Sequence, residues 1–293
     1  MDARPGSGRL VILAAAAALV ALIGAAPRAQ EAAGTALTSE WVLAGSPADV
    51  LAAARAELVA EGFALEKDIP ASGLLVTRPH AYAAGWPDAD AIGLAANRHP
   101  RSVALHVFVP PAFSPARLAV GAVVDMDVTV VPLTGKRSRG TATAYGQAPL
   151  AAEFAERIAR RAGLAAQPLP DDPAARTALS TTAAAGGAST CGVPARLALG
   201  DPAATTSALN FVNPEYPPAE LARFRGGEVL LQGEVTEHGT VTALRWVGGV
   251  EDANLVAAAR GAASLWRFRP TIVEGCPARR EVRIAMSFEI RRG

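Results

Sequence analysis

This chain of 293 residues is poor in the side chains that catalysis, metal binding or nucleic-acid binding would need. Charge of one sign is missing: 28 basic and 27 acidic residues leave a formal net charge of +1. The basic groups, two lysines and 26 arginines, are spread along the chain and leave no phosphate-binding footprint. Histidines number four, His80, His99, His106 and His238, and they are dispersed. With two cysteines and no histidine at ligand spacing, a zinc site is excluded. No serine occupies a Gly-x-Ser-x-Gly elbow. Gly135-Lys136-Arg137-Ser138 imitates the end of a phosphate loop, but Val130 stands where its first glycine belongs. Asp125 and Asp127 share one strand face, as paired carboxylates would. Lacking a base or metal set, that pair reads as a solvated face. No enzyme, cofactor or metal is expected. Aromatics are only 5% of the chain, and alanine inflates the 51% hydrophobic content, so cores should be modest but adequate.

What is present begins with a targeting pattern. Arg4 and Arg9 precede an uncharged, alanine-rich run over residues 10–26, followed by small residues. This is the layout of a secretory signal. At about 17 residues the run is also at the lower limit for spanning a bilayer, so a retained anchor is the alternative. Residues 1–29 are therefore read as signal peptide or amino-terminal anchor, with export and cleavage expected. Beyond them the chain faces an oxidising compartment. There an even pair of cysteines, Cys191 and Cys276, suits a disulfide, against the alternative of two free thiols.

Residues 40–165 read as one folded unit. Ser46-Pro47-Ala48-Asp49 is a capped helix start, and Val50, Ala54 and Leu58 repeat at helical spacing until Gly62. Strands are expected at 63–67, 74–77, 102–109 and 117–131, with 140–145 pairing to the last. Residues 151–164 read as a basic amphipathic helix, Phe154 and Ile158 inward, Arg157, Arg160 and Arg161 outward. A helix, an antiparallel sheet and a closing helix make a two-layer α+β unit that binds or scaffolds. Residues 166–190, rich in Pro, Ala, Ser and Thr with no apolar period, read as a flexible linker.

The last hundred residues carry the clearest pattern. Tyr216-Pro217-Pro218 fixes an extended lead into a short helix. From Glu228 the period becomes two, with Val229, Leu231, Gly233 and Val235 on one face, and Gly239 supplies a hairpin turn. Asp252 is placed as an N-cap, and Leu255, Ala259, Ala262 and Trp266 form one helical stripe. Val282, Ile284, Met286, Phe288 and Ile290 then alternate with Arg283, Ala285, Ser287, Glu289 and Arg291. The fold class is α+β: two small two-layer domains joined by a flexible linker.

Tyr216-Pro217, the Gly239 turn, the Asp252 helix start, Trp266-Arg267-Phe268-Arg269-Pro270 and Gly275-x-Pro277 occur in an order that resembles the TonB carboxy-terminal domain family. The resemblance covers roughly the last 80 residues, a little over a quarter of the chain, and the domain that carries it is placed at 191–293. It implies a periplasmic α-β-β-α-β domain whose last strand lies at an open sheet edge. An outer-membrane receptor peptide, or another envelope protein, would be captured there by strand addition through the backbone of Arg280, Val282, Arg283, Ile284, Met286 and Phe288. The alternative is a periplasmic scaffold that keeps the domain for protein contacts with no energy coupling; for the edge arginines themselves, the competing reading is that they merely solubilise it. A weak homodimer is compatible with either reading. Two departures from the energy-transducing members put coupling in doubt. Residues 10–26 hold no Ser/His pair, and no long proline-rich spacer exists.

Overall fold

The computed structural model describes residues 39–88, 98–130, 138–169, 194–201, 207–218, 220, 223 and 225–289. The signal or anchor segment 1–29, residues 170–190 of the expected linker, and Cys191 lie outside them.

Local signals start the amino-terminal half as its sequence directs. The Ser46 side chain accepts from the Asp49 N–H and caps α1 (Pro47–Ala60), whose first turn carries the proline. Strands β2 (Leu65–Ile69), two residues later than the expected 63–67, and β3 (Leu74–Thr77), where expected, pair antiparallel. The spine is β6 (Ala116–Val130), with β5 (Arg98–Phe108) along one edge. Its other edge is shared by β1 (Ser39–Leu43) and β7 (Ser138–Tyr145). With β4 (His80–Ala81) on β5, and β8 (Ala166–Pro168) on β1, the sheet has eight strands. Residues Val103, Leu105, Leu118, Val120, Ala122 and Val124 bury one face against α1 and α2 (Ala148–Arg161), which inserts Phe154 and Ile158. Burying several such side chains, each stabilising by about 1.5–3 kcal/mol, holds this layer together.

Opposite parity puts His106, Phe108, Arg117, Ala119 and Gly121 on the second face. Because a strand alternates, these residues would meet water unless something covered them. The carboxy-terminal half covers them. It contains β9 (Arg196–Leu197), β10 (Ala208–Asn210), β11 (Gly227–Val235), β12 (Val241–Gly249), α3 (Ala253–Ser264), β13 (Arg267–Phe268), β14 (Thr271–Val273) and β15 (Cys276–Phe288). Its main sheet runs β12-β11-β15-β14, with β9 also on β15, and β10 pairs with β13 apart from it. Asp252 caps α3 by accepting from the Asn254 and Leu255 N–H groups. Leu255, Ala259 and Ala262 then pack on Val229, Leu231, Ile284 and Met286.

Three expectations need correction. Separate domains on a flexible tether were expected, but the described residues form a single compact unit. Phe108 and Ala119 share a cluster with Leu74, Val76 and the partly buried Leu209. The linker was expected to start at 166, yet Ala166–Pro168 pairs with β1 and Leu169 is buried. A strand of three residues is too short to show a period. Asp127 is exposed as expected, whereas Asp125 is half-buried and accepts from the Ser102 and Thr143 hydroxyls. Among the described residues, no helix is long and apolar enough to cross a membrane.

The closeness of the halves has a measurable sign. A Cβ on Gly261 of α3 would stand 2.6–2.8 Å from Cδ2, Cβ and Cγ of Tyr145 on β7. Helix propensity alone favours alanine over glycine by about 1 kcal/mol. The contact reverses that preference, so Gly261→Ala is expected to destabilise by about 1–3 kcal/mol in urea unfolding. A gain in stability would show that the halves are apart in solution.

Candidate strand-capture edge

Two strand edges of the carboxy-terminal sheet are candidates for adding a strand, and their geometry separates them. Along β12 the register to β11 shifts twice, between Leu230 and Leu231 and between Gln232 and Glu234. Ala243 adopts a left-handed φ of 50°, and Val241 and Leu244, three apart, both point into the core. Bulges of this kind twist an edge away from pairing. Strand β15, by contrast, keeps unbroken register with β11 from Arg280–Val235 to Phe288–Gly227. It is the regular template.

The far side of β15 is partly taken. Residues Cys276, Pro277 and Ala278 pair with β14, and Arg279 and Arg280 pair in parallel with β9. Salt bridges Arg196–Glu234 (2.9 Å), Arg279–Glu234 (3.0 Å) and Arg279–Glu237 (2.9 Å) hold that end. From 281 to 288 no second strand lies alongside among the described residues. Eight residues at about 3.4 Å each give roughly 27 Å of edge. Side chains there divide cleanly: Val282, Ile284, Met286 and Phe288 are buried, and Arg283, Ala285 and Ser287 are exposed. Only backbone is offered along the edge itself. Arg280 departs from the expected set, because β9 is in register with it. Its guanidinium lies 5.1 Å over the Phe268 ring, and burial lowers its pKa.

The expected motif residues serve as framework and do not converge on one site. Tyr216 donates to the Arg225 carbonyl and meets the Phe288 ring edge-on at 5.5 Å. Pro217 accepts from the Glu220 N–H, and Trp266 Nε1 donates to the Val212 carbonyl at 2.9 Å. Gly239, at φ 93°, brings its backbone against β13: Phe268 N–H donates to its carbonyl, and an added Cβ would lie 2.1 Å from the Phe268 oxygen. Pro270 follows Phe268 on the way into β14, and Gly275 makes the tight turn to β15, where Pro277 faces Ile272. Cys276 opens β15, and no free thiol occurs among the described residues.

Sequence reasoning missed the junction that fixes this sheet in place. Arg267 is fully buried, and burial lowers its pKa to about 10 against the opposing pull of Glu40. Its Nη1 donates to the Ser264 and Trp266 carbonyls, both at 2.8 Å. The hairpin turn is buried as well: Thr240 donates to Glu40, His238 Nδ1 lies 3.6 Å from Glu40, and Arg117 Nε donates to His238 Nε2 at 3.4 Å. Phe113 packs edge-on against the His238 ring. Nearby, Asn210 donates to His106 Nδ1 at 3.2 Å and accepts from Lys67. Burial, then Arg267 and Lys67, push the His106 pKa down to about 3. Nothing in the sequence signalled the burial of Arg267, since alternation with Trp266 and Phe268 would turn it to the polar side.

Comparison with known proteins places this part of the chain. Residues 212–290 match the family model described as Gram-negative bacterial TonB protein C-terminal. A solution NMR structure of the Pseudomonas aeruginosa TonB carboxy-terminal domain aligns at 24% identity, covering 33% of this chain and 95% of its own, with a TM-score of 0.28. No curated protein matches the chain.

The junction carries a pH signature. The folded pKa of His106 is below its unfolded value near 6.5, so the unfolded chain takes up the proton first. Its contribution is complete above that value and is lost as pH falls toward 3. Between pH 6 and 4 the unfolding free energy should fall by up to about 1.4 kcal/mol per pH unit on this account. Denaturation of His106→Gln over the same range should show a shallower slope, and an equal slope would remove the assignment.

Proposed function

Because residues 212–290 of this chain belong to the TonB carboxy-terminal domain family, we propose that the protein is a periplasmic TonB-like component that captures a short extended peptide along residues 281–288. The donor is the amino-terminal segment of an outer-membrane receptor, and the capture assists receptor-dependent transport. The observation that carries this reading is the regular edge of β15, which from 281 to 288 has no second strand alongside among the described residues, in a sheet whose other edge strand, β12, is doubly bulged. An edge of that length satisfies a peptide's backbone while asking little of its side chains.

A second reading draws on the junction. An energy transducer needs a domain free to reach, and here the hairpin turn and Arg267 are buried against the chain's own amino-terminal sheet. That arrangement favours an envelope scaffold that uses the same edge without energy coupling. Peptides from receptor amino termini distinguish the two. On binding, the amides of residues 281–288 should gain protection from hydrogen exchange, and alternate N-methylation of the peptide should abolish capture. Met286→Pro should abolish it too, with thermal unfolding as the check on folding. No binding at any reachable concentration would leave the scaffold.

Export with cleavage near Gln30 and a Cys191–Cys276 bridge belong to the same reading. The bridge would close a loop of about 85 residues and stabilise by about 4–5 kcal/mol in the chain-entropy model. The intact mass of protein from the periplasmic fraction should match a chain beginning near Gln30 and lighter by two hydrogens. A full-length mass, or free thiols, would overturn the corresponding half of the statement.

A further inference from the structure

A cleft of about 340 Å³ lies on the second face of the amino-terminal sheet, under residues 210–215 of the carboxy-terminal half. It is distinct from the β15 edge, and its volume falls at the lower end for small-molecule sites. At one end two carboxylates converge on a single hydroxyl. Thr143 Oγ1 is within hydrogen-bonding reach of Asp125 Oδ1, at 2.8 Å, and of Glu215 Oε2. One hydroxyl proton serves only one of them at a time. Asp125 is held in place from its other side by Ser102 at 3.1 Å. Burial and the Asp125 charge raise the Glu215 pKa, the sign that negative charge there lacks a full counterpart.

At the other end sits His106, 7% exposed and lining the cleft. Asn210 occupies its Nδ1, which leaves Nε2 as the protonated nitrogen, with no partner among the described residues. His106 lines the cleft, so this remaining donor is available to an acceptor bound there. Lys67 lines the same end. Ala104 and Val123 pave the floor between, and Phe211, 58% exposed, stands at the rim. His106 pairs with Gly121, four residues from Asp125 along β6. The two ends are therefore about 14 Å apart, the span of an extended peptide of three or four residues.

We infer that this cleft binds a short peptide, its amino-terminal ammonium between the Asp125 and Glu215 carboxylates and its carboxylate beside His106 Nε2 and the Lys67 ammonium. An ammonium brings three donors to a site with surplus acceptors, and a carboxylate supplies the acceptor that His106 lacks. The apolar floor accepts small side chains and sets no strong sequence preference.

Calorimetric titration of the full chain with tetra-alanine tests this. Binding is expected, and N-acetylation of the peptide should weaken it at least about tenfold, as should Asp125→Asn or the more exposed Glu215→Gln. Amidation of the carboxyl end should weaken binding to the unsubstituted protein, with a smaller penalty in Lys67→Met. Binding indifferent to acetylation and to Asp125→Asn, as capture at β15 would be, overturns the inference and leaves the edge proposal standing. So does calcium chloride binding that depends on Asp125 and is not displaced by the peptide. An absence of heat at millimolar peptide overturns it as well.

Discussion

A guanidinium sealed from water is the constraint on which the arrangement of this protein depends. Arg267 has no exposed surface, and removing a cation from water costs several kcal/mol even after the surroundings relax. Two backbone carbonyls and the Glu40 charge offset part of that cost. These partners come from different halves of the chain, Glu40 from β1 and the carbonyls from the end of α3 and the residue just before β13. The charge is tolerable only while the halves are closed. The same closure buries His106 neutral and encloses the Gly239 turn, so one interface decides the protonation and packing of residues far apart in sequence.

The interface also sets what the carboxy-terminal sheet can offer to a partner. Its helix-covered face is turned toward the amino-terminal sheet, as the Gly261–Tyr145 approach shows. The opposite face carries exposed Arg283, Ala285 and Ser287. Its edge at β15 has no second strand alongside from 281 to 288 among the described residues. Strand β9, held by the Arg196–Glu234–Arg279 ion pairs, closes its first part. Partly exposed pairs of this kind are individually weak, but several sharing two carboxylates act together. The length of free edge is therefore a property of the whole chain, not of β15 alone.

Much of the framework was legible because it rests on short-range physics. The Ser46 and Asp252 caps, the Gly239 turn and the alternation of β15 each involve residues within a few positions of one another, and each occurs where the pattern put it. The bulge at Ala243 was not legible. Strict alternation would have split Val241 and Leu244 between two faces, whereas one extra residue in β12 brings both to the core. Strands β9, β10, β13 and β14 are of two or three residues. Their existence depends on partners far along the chain, and no period can reveal them.

For the candidate sites the division is sharper. By itself the sequence determined that β15 is amphipathic, long and arginine-rich, because side-chain alternation is written residue by residue. Which part of its edge stays open was decided by β9 and β14 arriving from elsewhere. The sequence likewise determined that Asp125 lies on the polar side of a strand. That this side is roofed over, with Glu215 opposite and His106 beneath, was decided by the docking of two sheets. Local chemistry fixes the direction of a side chain, and only the folded chain fixes what it faces.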